Sequence, residues 1–125
     1  IKQKSIEAEM MVQMSRQLIV PAALAHQRNI AGALAETERA GLKDARLKQA
    51  VQDYVTIVGE FATAVDALEQ VAAHHEEQPL AHARYIQNKL RPAMAVVRRT
   101  ADQLEQVIDA KLWPLPTYRE LLFLK

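Results

Sequence analysis

The chain contains no cysteine, which excludes disulfides, thiolate chemistry and cysteine-based zinc sites. Aromatic residues make up only 5% of it, and three Gly and five Pro are too few for a turn-rich β fold. Neither charge sign dominates: 16 Lys and Arg against 15 Asp and Glu leave a formal charge of +1. No strong field therefore draws the chain toward nucleic acid or anionic lipid. No apolar run approaches the ~20 residues that a membrane-spanning helix needs. Gly32, Gly41 and Gly59 stand alone, so no glycine-rich loop is available to cradle a phosphate. No nucleophile motif of a recognised kind is present. The chain opens Ile1-Lys2-Gln3-Lys4-Ser5, without an initiator Met or a signal-peptide pattern, and so reads as a segment of something longer.

What is present is a helical sequence, rich in Ala, Leu, Val, Gln, Glu and Arg. Its 125 residues suit one domain with a real core. Two breaks divide it. Gly41 can take the left-handed conformation that ends a helix, and Pro79 can open one but not continue one. The reading is all-α: helix one over 1–38, helix two over 42–75, helix three over 79–112, and an apolar tail over 113–125. Long segments of similar length, each ~50 Å as a helix, favour an antiparallel up-down-up bundle.

Helix two shows a heptad seam at Leu47, Val51, Tyr54, Val58, Phe61, Val65, Leu68 and Ala72, the pattern of helices packed at a shallow angle. Helix three repeats it at Ala83, Ile86, Leu90, Ala93, Val97, Thr100, Leu104 and Val107. Met94, Ala101, Ile108 and Leu112 widen that stripe toward a second neighbour. Helix one is less regular, with Ile6, Met10, Met14, Leu18, Leu24, Ile30 and Leu34 on its expected apolar face. Pro21 and Pro92 fall inside helical patterns that resume beyond them, so each predicts a kink rather than a break. In the tail, Pro114 and Pro116 impose extended backbone on Trp113 and Leu115. Thr117 and Glu120 form a capping box that predicts a short helix from Tyr118.

Candidate chemistry is sparse. His74-His75-Glu76-Glu77, with His82 nearby, has metal-ligating residue types. Adjacent His side chains diverge by about 100° on a helix, which favours a solvated helix end instead. His26 suggests a histidine phosphotransfer bundle, but the Lys and Gly expected shortly after such a His are missing from Gln27-Arg28-Asn29-Ile30. Met10, Met11, Met14 and Met94 suit either an adaptable binding groove or core filling, and core filling is the simpler expectation. Arg91, Arg98 and Arg99 are offset by Asp102, Glu105 and Asp109 at helical spacing, which predicts an ion-paired face. No isolated pair of carboxylates suggests general acid–base work.

The tail carries a more specific signal. Leu112-Trp113-Pro114-Leu115-Pro116-Thr117-Tyr118-Arg119-Glu120-Leu121-Leu122-Phe123 resembles the carboxyl-terminal pattern of type III glutamine synthetases, Trp-Pro-x-Pro-x-Tyr-x-x-Leu-Leu-Phe. Ile19-Val20-Pro21-Ala22-Ala23-Leu24 followed by Gln27 is similar to that family's proline-containing helix, and Ala101-Asp102-Gln103-Leu104-Glu105 also fits. The resemblance implies a cytoplasmic parent enzyme, a large homo-oligomer that uses ATP and a divalent metal such as Mg to join glutamate and ammonia. It implies that catalytic residues lie elsewhere, so no catalytic, cofactor or metal residue is expected in this chain. The expected role is architectural. Trp113, Pro114, Pro116, Tyr118, Leu122 and Phe123 are the candidate packing or interface residues. The catalytic domain and neighbouring subunits are the expected partners, with neither nucleic acid nor membrane. A free-standing helical interaction module is the alternative.

Overall fold

The computed structural model describes residues 2–74 and 76–116, with side chains from Ile6 onward. The described residues form three long helical rods and no strand. The first comprises α1 (Lys2–Met14), a π-helical turn (Ser15–Ile19) and α2 (Val20–Arg39). The second is α3 (Ala45–Ala73). The third comprises α4 (Pro79–Tyr85), a second π turn (Ile86–Leu90) and α5 (Arg91–Val107).

At Pro21 and Pro92 a π-helical turn precedes the proline. Each helix runs through its proline, and the widened turn ends two residues before the ring. The Val20 N–H reaches the carbonyl of Ser15, and the Arg91 N–H that of Ile86, five residues back in each case. A widened turn is a common way for a helix to absorb an interruption in its hydrogen-bond ladder.

The ends of the rods are set by named residues. Gly41, at φ 84°, closes the first rod. The Leu42 N–H donates to Thr37 O at 3.2 Å and the Gly41 N–H to Glu38 O at 3.0 Å, the paired bonds of a Schellman cap. Asp44 caps α3 by accepting from the Leu47 N–H at 3.0 Å. That helix ends at Ala73, two residues short of the expected boundary. The Tyr85 hydroxyl donates to the carbonyl of Val71 in its last turn at 2.9 Å. Pro79 occupies the first helical position of α4.

Helix three stops at Val107, five residues before the expected Leu112. Ile108 is extended, with φ −77° and ψ 149°. The Asp109 carboxylate then accepts from the Lys111 N–H at 2.9 Å, and its carbonyl from the Leu112 N–H at 2.8 Å. This local turn offers the chain an alternative to continuing the helix.

The core lies where α3 meets the other two rods. Tyr54, Phe61, Val65 and Leu68 on α3 are buried, as are Leu90, Met94, Val97 and Leu104 on the third rod. Val58 is only half-buried, although its place in the seam predicts burial. Thr100 is buried and satisfied, donating to the carbonyls of Val96 or Val97.

Helix one departs most from expectation. Ile6, Met10, Met14, Leu18 and Leu24 are exposed, while Ile30 and Leu34 are half-buried. The residues it turns inward are Ala8, Val12, Ser15, Ile19 and Ala23. Three of these five are small and allow close approach to the neighbouring rods, leaving the large apolar residues outside.

Candidate functional site

Two of the histidines singled out from the sequence, His26 and His74, have structural partners. His26 sits half-buried in α2, edge-on to Tyr54 with ring centroids 4.8 Å apart. Its Nδ1 accepts the Asp109 N–H at 3.1 Å, and so ties the first rod to the turn after the third. A phosphotransfer module would present this ring to solvent; here one ring nitrogen holds a backbone turn.

Tyr54 supplies the main buried polar link. Its hydroxyl donates to the carbonyl of Ala23 at 2.7 Å. Burial pushes the phenol up to about 12 because the phenolate would be poorly solvated. A raised phenol stabilises the fold fully below ~10, its ordinary value, and that contribution is lost as pH climbs through the folded value. In a chain whose Tyr85 and Tyr118 are replaced by Phe, phenolate absorbance should therefore appear near pH 12. Ionisation near ~10, as for a free tyrosine, would show the hydroxyl to be solvated.

His74 ends α3, stacks on Tyr85 at 4.4 Å and contacts Glu76 through Nε2 at 2.7 Å. His75 lies outside the described residues. The His82 ring is half-buried, and its Nδ1 has no protein partner. Among the described residues no group of three or more His, Asp or Glu could hold a metal ion.

The ion-paired face expected along helix three does not form. Arg91 donates to Gln87 at 3.2 Å, and Arg98 and Arg99 make no ion pair among the described residues. The inter-helix ion pairs belong to Arg16, on the first π turn. It reaches Asp66 at 2.8 Å and Glu69 at 2.5 Å on α3. Those bonds hold the guanidinium more firmly protonated and draw the Glu69 carboxyl below its ordinary value. Nothing in the spacing of the sequence marks Arg16 as facing α3.

The methionines also divide differently from the core-filling expectation. Met94 is buried and Met11 half-buried, but Met10 and Met14 are 54% and 40% exposed. They line a groove of about 490 Å³ between α1 and α5, with Leu115 also in its wall.

Of the candidate tail residues, Trp113 is half-buried and packs on the core beside Leu115, with its indole N–H buried and unpartnered. Pro114 and Pro116 are exposed. Tyr118, Leu122 and Phe123, with the short helix expected there, lie outside the described residues.

These features define an all-helical unit in which Arg16, His26, Tyr54 and Tyr85 tie one rod to another. The chain is similar to the type-3 glutamine synthetase of Dictyostelium discoideum, 26% identical over 134 residues that take in 99% of this chain. A glutamine synthetase of Bacteroides fragilis is 43% identical over 53 residues, or 42% of the chain. The chain spans only 18% and 7% of the lengths of these two relatives. No family model matches the chain. No solved structure matches it either.

Proposed function

We propose that this chain is the carboxyl-terminal architectural domain of a type III glutamine synthetase, a cytoplasmic homo-oligomer that makes glutamine from glutamate, ammonia and ATP. The observation that carries the reading is the alignment of nearly the whole chain with a small part of a much longer type-3 enzyme. In this reading the catalytic machinery, with its ATP and Mg sites, belongs to the rest of the parent. The helical unit packs on that catalytic domain or on neighbouring subunits.

The domain is read as an up-down-up bundle. Along the first rod, Arg16 meets Asp66 and Glu69 while Ala23 meets Tyr54, so advancing along one helix retreats along the other. His26 meets Asp109, and Met10 and Met14 share a groove with Met94 and Val97, so the first and third rods run the same way. Among the described residues no helix is long and apolar enough to cross a membrane.

Two measurements test the proposal. Calorimetry of the 125-residue chain with Mg and ATP should show no saturable heat at micromolar concentrations. Deleting the same region from the full-length synthetase should disturb its assembly. ATP binding by the chain alone, or a truncated enzyme with unchanged assembly and activity, would overturn the reading.

A further inference from the structure

The groove between α1 and α5 is bounded on one side by methionines that helix one leaves exposed or half-buried, and on the other by core residues of α5. Met10, Met11 and Met14 form one wall, and Met94 and Val97 the other. Its volume of about 490 Å³ lies within the range of pockets that take a ligand-sized group. Methionine-rich surfaces adapt to aromatic and branched partners, and their sulfur atoms interact well with ring edges.

Leu115 already lies in this groove, half-buried, while Trp113 packs on the core just before it. Only Pro116 separates Leu115 from residues 117–125 in the sequence. We infer that the groove between α1 and α5 is the seat of the chain's own C-terminal segment, which docks through the apolar side chains of Tyr118, Leu121, Leu122 and Phe123.

Reach, cost and chemistry favour this occupant. From Glu7 to Met14 the groove runs along helix one for about 10 Å at 1.5 Å per residue. A nine-residue segment covers that distance as a helix, at ~13 Å, or extended, at ~30 Å. A tethered segment closes only a short loop, whereas a separate molecule loses its translational and rotational freedom. Arg98 stands in the groove wall, and Glu120 supplies the only side-chain carboxylate among residues 117–125.

The absence of cysteine makes the test clean. In a Met10→Cys chain the single thiol should react slowly with a maleimide. Deleting residues 117–125 should speed that reaction about tenfold or more, the factor equivalent to ~1.4 kcal/mol of docking. A Lys48→Cys chain, with its thiol on exposed α3 surface, should react at the same rate with or without the segment. If the deletion impairs folding, as judged by the Lys48→Cys rate and circular dichroism, a full-length Leu122→Glu, Phe123→Glu chain replaces it and should unmask the Met10→Cys thiol equally.

Protection by a tethered segment, at an effective concentration of about millimolar, should survive roughly hundredfold dilution from micromolar protein. Equal Met10→Cys rates in the intact chain and in the folded variants would overturn the inference. Protection that disappears on dilution would also overturn it and identify a second copy as the occupant.

Discussion

Replacing Phe61 by alanine should lower the unfolding free energy by about 3–5 kcal/mol, the range for deleting a large aromatic side chain from a packed core. Phe61 has no exposed surface and belongs to the core that α3 shares with the other rods. Truncation would remove its buried apolar area and leave a cavity that stiff helices fill only in part. At ~4 °C per kcal/mol for a domain of this size, the melting temperature should fall by well over 10 °C if the chain is stable enough for the variant to fold. Thermal and urea unfolding monitored by circular dichroism measure both. A loss below ~0.5 kcal/mol, typical of surface substitutions, would refute the packing described for α3.

The second large effect concerns helix one and reverses the intuition drawn from hydrophobicity. Ala23 is fully buried, and its carbonyl accepts the Tyr54 hydroxyl; the next residue, Leu24, is 49% exposed. Ala23→Leu adds carbon to a tight contact and should cost about 1–3 kcal/mol through strain. Leu24→Ala removes carbon from the surface and should change stability by less than ~0.5 kcal/mol. Urea unfolding of the two variants checks the rotation of the helix. The opposite order, with Leu24→Ala the more damaging, would mean that helix one is turned about its axis.

That contrast shows why parts of this fold are visible in the sequence and parts are not. On α3 the seam through Tyr54, Phe61, Val65 and Leu68 carries large side chains at regular spacing, so pattern and burial coincide. Helix one is packed through Ala8, Ser15 and Ala23, whose small size lets the backbone approach but carries little hydrophobic weight. Selecting the large apolar residues therefore picks the wrong face.

The π turns are a second feature that the spacing does not reveal. Along the third rod Ile86, Leu90, Val97, Thr100 and Leu104 of the expected seam are buried, as is Met94 of the stripe beside it, while Ala93 is only partly buried and Val107 is exposed. The widened turn over Ile86–Leu90 shifts the helical phase of α5 relative to α4. Proline signals an interruption at that position, yet nothing local distinguishes a kink from a widened turn. The tail motif is legible because its Trp and Pro residues are rare types at fixed spacing. The bonds from Tyr54 to Ala23 and from Asp109 to His26 are not, since each joins residues brought together only by the assembled bundle.

The uneven exposure of the four methionines also gives the molecule an uneven vulnerability to peroxide. Sulfoxidation turns a flexible apolar side chain into a polar, chiral one, and it begins where sulfur is accessible. Met94, with 1% exposure, is shielded by the fold, whereas Met10 and Met14 stand on the groove wall. Mild oxidant would reach Met94 only after the bundle opens. With the C-terminal segment lifted from the groove, the first products would instead bear oxygen along the margin of the apolar channel, making that margin hydrophilic while the centre of the bundle stays reduced.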